Sequence, residues 1–294
     1  MTSPEWVFIA FALLSIAIVA VWLTPITIID HATIAPWSSL FLGAIVVAAI
    51  IGVLTPLALI GLGLFCLCAY LGRLSQPHKA QRILFSILAA VLALALAMHR
   101  LPGFNNPVII SKLILSSGAP AFTQYANFDK GAAGLLLLAF MCRRTKSLAE
   151  LGKLLKQTWP VAAITGIAVL GLGMLVGYVQ PDFKIPQITP LFLVVNVLFA
   201  VIAEEVFFRG FLQDRLGVAL AGFRYGKQIA LLCSALLFGL VHVAGGPTFV
   251  LLATLSGLGY AYAYHVTQRI EAPIVVHFAL NVVHFVGFTY PHLL

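Results

Sequence analysis

Residues 189–212 read TPLFLVVNVLFAVIAEEVFFRGFL, an apolar run whose only charges are Glu204, Glu205 and Arg209. A helix needs roughly 20 predominantly apolar residues to cross a bilayer, so this run is long enough to span one. A charged residue near the centre of such a span costs on the order of 3 kcal/mol. Charges crowded this closely are tolerable only where they face protein or a wet cavity and find a partner. The stretch therefore implies a chain that lives in lipid and a polar site within it.

The composition agrees. Of 294 residues, 62% are hydrophobic and 9% charged, against roughly 25% charged in soluble domains, and the mean hydropathy is +1.07. So little polar surface excludes a soluble globular domain, and so much apolar surface excludes a disordered chain. At roughly 20 residues per span the expectation is an all-α polytopic membrane protein. It would be a bundle of about eight to ten transmembrane helices, with the helices that carry the chemistry in the C-terminal third. The formal net charge of +8 would suit nucleic acid. The basic residues, however, sit in short loops between apolar runs, which points to membrane orientation and anionic lipid headgroups, not nucleic acid. Cys66, Cys68, Cys142 and Cys233 lie in or at the end of apolar runs, at spacings that match no zinc or disulfide pattern; they read as small buried hydrophobes. The N-terminus lacks a basic leader region, so the first helix is expected to be retained.

Charges and breakers divide the chain. Trp6 to Ile29 is a first run, ended by Asp30 and His31. Ser38 to Leu71 carries no charge and is divided by Thr55-Pro56, either as a tight hairpin or as one kinked helix. Ile83 to Met98 follows. The segment from Arg100 to Lys130, broken by Pro102, Gly103, Pro107, Gly118 and Pro120, suits an interfacial or re-entrant element and not a simple span. Gly131 to Cys142 is short and Ala162 to Val179 is a good span. Thr189 to Leu212, Ile229 to Ala244, Phe249 to Val266 and Pro273 to Phe288 complete the set. Residues 1–157 thus form an N-terminal transmembrane region of unassigned role, and 158–294 a core that holds the chemistry. Lys and Arg concentrate in alternate loops, which are expected to face the cytoplasm, leaving the C-terminus extracytoplasmic. An integral, multi-pass protein of a bacterial inner or cell membrane is the expected setting.

Helical spacing sorts the charged residues. Glu205 and Arg209 stand at i and i+4, acid before base, and can pair on one face. Glu204 is rotated from Glu205 by about 100° and has no equally good local counter-charge, which leaves it for general-base work. A purely structural ion network would account for the same residues. His242 lies one turn from Phe238 in an apolar run, where a hydrogen-bonded packing histidine is the plainer reading. His277 and Asn281 share a face at i and i+4 and can offer two donors to a developing oxyanion, or bond across helices. His284 extends that face, while His265 with Tyr260, Tyr262 and Tyr264 suits an interfacial aromatic belt. Gathered around one wet pocket, these groups suit attack of an activated water on a carbonyl.

Glu204-Glu205-x-x-x-Arg209, Phe238-x-x-x-His242 and His277-x-x-x-Asn281, in that order, resemble the signatures of the CPBP family of CAAX prenyl endopeptidases and bacterial Abi proteins, and Gly210 fits as well. The resemblance covers roughly Pro186 to Phe288. It implies an intramembrane glutamic endopeptidase that cleaves a membrane-associated peptide or protein. Glu204 would activate water with His242, His277 and Asn281 would stabilise the oxyanion, and Glu205 and Arg209 would support Glu204. No cofactor is expected. Zinc is conceivable but not favoured, since no H-E-x-x-H occurs and a catalytic zinc normally takes three protein ligands.

Two other classes fit parts of the pattern. A proton-coupled transporter could use the Glu and His residues as a relay and would show inverted symmetry or paired interrupted helices in both halves, but the ionisable residues crowd into the last third with no clear matching set earlier. A non-catalytic scaffold or immunity protein could keep the motifs as a structural network.

Overall fold

The structure, a computed structural model, describes residues 4–29, 32–74 and 78–294. Asp30 and His31, read above as ending the first run, lie outside the described residues, as do Met1–Ser3 of the N-terminal segment. Among the described residues ten helices follow one another: α1 Pro4–Ala20, α2 Pro36–Ile50, α3 Pro56–Arg73, α4 Lys79–Ala97, α5 Phe128–Met141, α6 Leu148–Leu175, α7 Thr189–Ala219, α8 Gly226–Leu240, α9 Gly246–Thr267 and α10 Glu271–Gly287. Among the described residues α3, α4, α6, α7 and the stretch Val243–Thr267 are long and apolar enough to cross a membrane, and α1, α2, α8 and α10 are shorter apolar helices. The chain is an all-α polytopic membrane protein. Among the described residues the named strands form two small antiparallel ladders, β1 Ile26–Ile29 with β2 Ala32–Ile34, and β3 Val108–Leu113 with β4 Phe122–Tyr125, and isolated bridges join Leu54 to Phe104 and Pro181 to Phe288.

The breakers acted locally. Pro56 opens α3 at its first turn after Thr55, where a missing N–H costs nothing, so the charge-free stretch is two helices and not one kinked span. The Arg100–Lys130 segment holds β3 and β4 in place of an interfacial helix. Helix α6 starts well before the apolar run that announced it, because the Ser147 hydroxyl accepts the Glu150 N–H at 3.1 Å and caps it.

The chain falls into two compact units. The first comprises residues 1–108, 125–142 and 198–203. There α1 packs on α2, α3 packs on α4, and α5 lies against α1, α3 and α4. Leu135, Leu136, Leu137 and Leu138 are almost fully buried, which explains why α5 is short: an apolar helix of this length serves as a core element. The second unit comprises residues 109–124, 143–197 and 204–294. Here α8 and α9 form an antiparallel pair, α6 packs on α9 and α10, and the Val206–Gln213 turns of α7 rest on α8 and α9. Its apolar core includes Leu154, Val169, Phe208, Phe238, Leu252 and Val276.

Candidate active site

The site is built on an irregular stretch of α7. Hydrogen bonding widens to i→i+5 over Asn196–Val201, returns to α geometry over Ile202–Glu205, and widens again over Val206–Gln213. Each widened turn holds an extra residue and re-aims the side chains around it, a device frequent at functional sites. Glu204 and Glu205 occupy the regular turn between the two.

Glu205 and Arg209 are wholly enclosed, and the expected pair forms, with Arg209 Nη1 3.0 Å from Glu205 Oε1. The other arm of the guanidinium, Nη2, donates to the Gly257 carbonyl at 3.1 Å, and its carbon lies 4.5 Å from the centre of the Phe238 ring. This close approach explains the glycine, since a Cβ on Gly257 would stand 3.2 Å from Nη2 and 3.1 Å from Phe238. Glu205 Oε1 also meets His277 Nδ1 at 2.7 Å. One oxygen thus receives two donors, as suits a carboxylate between a guanidinium and an imidazole. Glu205 Oε2 and Arg209 Nε have no hydrogen-bond partner among the described residues, the kind of unmet polar demand that calls for an explanation.

His277 is held on its flat face as well. The Tyr260 ring stacks on it with centroids 4.4 Å apart and planes 12° apart, and Phe238 meets it edge-on at 5.8 Å. His242 sits in the turn after α8, its Nδ1 2.7 Å from the Phe238 carbonyl and its ring 4.8 Å from that of Phe238. A carbonyl only accepts, so Nδ1 carries the proton and Nε2 of the neutral ring is left as an acceptor. Asn281 donates to Asn196 Oδ1 at 3.1 Å, which leaves its second amide hydrogen available. Packing on α10 is reinforced at its start: Glu271 Oε1 accepts the Thr145 N–H at 2.8 Å and its hydroxyl at 3.0 Å.

His242, His277 and Asn281 line one cavity of about 110 Å³, together with Tyr260 and His284, so residues from separate runs of sequence do converge. Glu204 and Glu205 lie outside that lining, and Glu205 reaches it through His277. Glu204 is partly buried on the same turn.

One sequence reading is corrected. Tyr260 and Tyr264 are each 1% exposed and belong to the interior, while Tyr262 remains exposed; the belt reading failed because it counted tyrosines without their helical phase. Asn196, Gly257 and Tyr260 went unrecognised as site residues. Asn196, a polar residue within the decisive apolar run, is the one whose position carried a signal. The cysteines form no disulfide, and among the described residues no group of three or more His, Cys, Asp or Glu is gathered as a metal would require.

Comparison with known proteins falls on the same stretch. Residues 186–283 match the family model described as type II CAAX prenyl endopeptidase Rce1-like. The chain is 31% identical over 117 residues to the protein named "Putative membrane peptidase YdiL" of Bacillus subtilis (strain 168), an alignment that covers 38% of this chain. The chain spans 43% of that relative's length. No solved structure gives a significant match. The matched interval runs from before Glu204 to beyond Asn281, so the Glu204-Glu205-x-x-x-Arg209, Phe238-x-x-x-His242 and His277-x-x-x-Asn281 motifs all fall within the stretch that is similar to the Rce1-like family.

Proposed function

We propose that this protein is an intramembrane endopeptidase that hydrolyses a peptide bond of a membrane-associated protein or peptide, with residues 158–294 as its catalytic core. The observation that carries the reading is the convergence of His242, His277 and Asn281 on one cavity, with His277 braced from behind by Glu205 and Arg209.

In this reading Glu204 is the general base. It takes a proton from a water that His242 Nε2 orients by accepting the other hydrogen, and the resulting hydroxide attacks the scissile carbonyl. The oxyanion is met by Asn281 Nδ2–H and by His277. With Nδ1–H directed at Glu205, His277 can donate from Nε2 only as an imidazolium, and Glu205 is the carboxylate that balances that charge. Arg209 in turn fixes Glu205. Collapse of the tetrahedral intermediate breaks the C–N bond, and the proton held by Glu204 passes to the leaving amine. No cofactor takes part. The substrate enters from the lipid, anionic headgroups surround the basic loops, and the C-terminus is extracytoplasmic.

The test is terminal proteomics of membranes that carry either the wild-type protein or Glu204→Gln. The account expects new termini on membrane-anchored proteins with the wild type only. Identical termini with both, at equal expression, would remove Glu204 from the mechanism.

A further inference from the structure

A second cavity, of about 270 Å³, opens in the second unit, and nothing in the proposed proteolysis uses it. Its lining includes Arg143, Lys227, His265, Gln213, Asp214 and Tyr264. The position is telling. Lys227 is in the first turn of α8, His265 in the last turn of α9, and Asp214 close to the end of α7. The cavity therefore lies near the ends of spans, where the headgroups of a surrounding bilayer are expected.

We propose that this cavity binds the phosphodiester headgroup of an anionic phospholipid, one that presents a hydroxyl beside its phosphate. Two permanent cations face one carboxylate, so the cavity is net positive. Arg143 is held in place through its carbonyl, which accepts the Ile270 N–H at 3.0 Å, while its guanidinium reaches Asp214 only at 3.6 Å. A separation that long is a weak claim on the guanidinium, which leaves it ready for a phosphate oxygen. Lys227 has no ion-pair partner among the described residues and supplies the second charge. Asp214 is steadied by the Tyr264 hydroxyl at 3.3 Å.

The hydroxyl is inferred from Gln213. This side chain is only 5% exposed; its amide nitrogen donates to the Ala261 carbonyl at 2.9 Å, which turns its oxygen the other way. That oxygen, Oε1, is buried with no hydrogen-bond partner among the described residues. It is an acceptor in want of a donor, and a phosphodiester carries no O–H of its own, so the donor has to come from the rest of the headgroup. A glycerol-type headgroup supplies both, its phosphate to Arg143 and Lys227 and its hydroxyl to Gln213. The site is separate from the catalytic proposal and stands or falls without it.

The experiment is native mass spectrometry of the purified full chain with short-chain phosphatidylglycerol, phosphatidylcholine or inorganic phosphate, read as bound-ligand occupancy. The double variant Arg143→Gln/Lys227→Gln is compared with Lys153→Gln/Lys156→Gln, an equal loss of charge on the exposed side of α6. Each basic residue near an anionic headgroup is worth roughly a fivefold change, so phosphatidylglycerol binding should fall about thirtyfold in the first pair and little in the second. Phosphatidylcholine should not compete, and Gln213→Leu should erase the preference for phosphatidylglycerol over phosphatidylethanol, a phosphodiester of the same charge with no headgroup hydroxyl. Equal losses in both double variants, or displacement of the lipid by inorganic phosphate or by a peptide carboxylate at equal concentration, would overturn the proposal.

Discussion

The two units each hold a buried carboxylate against a histidine Nδ1 at the same distance. In the second unit it is Glu205 and His277 at 2.7 Å; in the first it is Asp129 and His99 at 2.7 Å. What surrounds each pair differs. Glu205 shares its bonded oxygen with Arg209, and its histidine is buried with the ring braced by Tyr260 and facing a cavity. Asp129 spends its second oxygen on the Asn106 amide at 2.9 Å and the Lys130 N–H at 2.8 Å. It sits in the first turn of α5, where a negative charge suits the helix terminus, and His99 is 45% exposed on a left-handed turn with φ 55°. One pair fastens a loop to a helix start. The other holds an imidazole in position at the wall of a cavity. A carboxylate–histidine contact is thus no mark of chemistry by itself; the cavity and the second charged partner make the difference.

That contrast yields experiments in descending order of effect. On the proposed mechanism, replacing His277 with Ala takes away an oxyanion donor and leaves Glu205 with Arg209 alone; turnover per folded molecule in proteoliposomes should fall by roughly 100- to 10,000-fold. Asn281→Ala removes the other donor and should cost about 100- to 1,000-fold in kcat with KM little moved. In the first unit Asp129→Ala strands the donors of Asn106 and Lys130. It should lower unfolding stability in detergent by about 1–3 kcal/mol while turnover of the surviving folded protein stays within a few-fold. A collapse of turnover there would erase the distinction between the pairs. Tyr260→Leu removes the ring stacked on His277, a contact worth about 0.5–1.5 kcal/mol beyond its burial, whereas Tyr260→Phe keeps it; the two should differ in pH profile more than in expression.

The smallest effect lies outside the spans. The Ser116 hydroxyl foremost, and Lys184 with it, hold the Asp182 carboxyl below its ordinary value against the pull of desolvation. A depressed carboxyl stabilises the fold above its unfolded value, and that contribution fades as the pH falls through about 4 and below. Asp182→Asn should flatten a slight acid-side slope in melting temperature and leave the neutral-pH value nearly unchanged.

How much of this could be read from the sequence follows the range of the interaction. The pairing of Glu205 with Arg209 and the shared face of His277 and Asn281 depend on spacing within one helix, and both were legible. The glycine that admits the guanidinium, the tyrosine stacked on the imidazole and the Asn196 partner of Asn281 come from other helices, and single-chain periodicity is blind to them. Nothing in the run 189–212 announces the widened turns of α7, because an i→i+5 turn is imposed by what the helix must meet and not by its own residues. In the same way, the Arg100–Lys130 segment advertised its breaks but not the β3–β4 ladder, whose pairing is a contact between two strands.

The most direct test sets the two units against each other in one assay. Wild type, Glu204→Gln and Asp129→Ala are reconstituted at equal folded concentration with a labelled membrane-anchored peptide that the wild type cleaves, and the rate of new-terminus formation is followed. The account predicts a loss of roughly 100-fold or more for Glu204→Gln and a rate close to wild type for Asp129→Ala. Full cleavage by Glu204→Gln would contradict it.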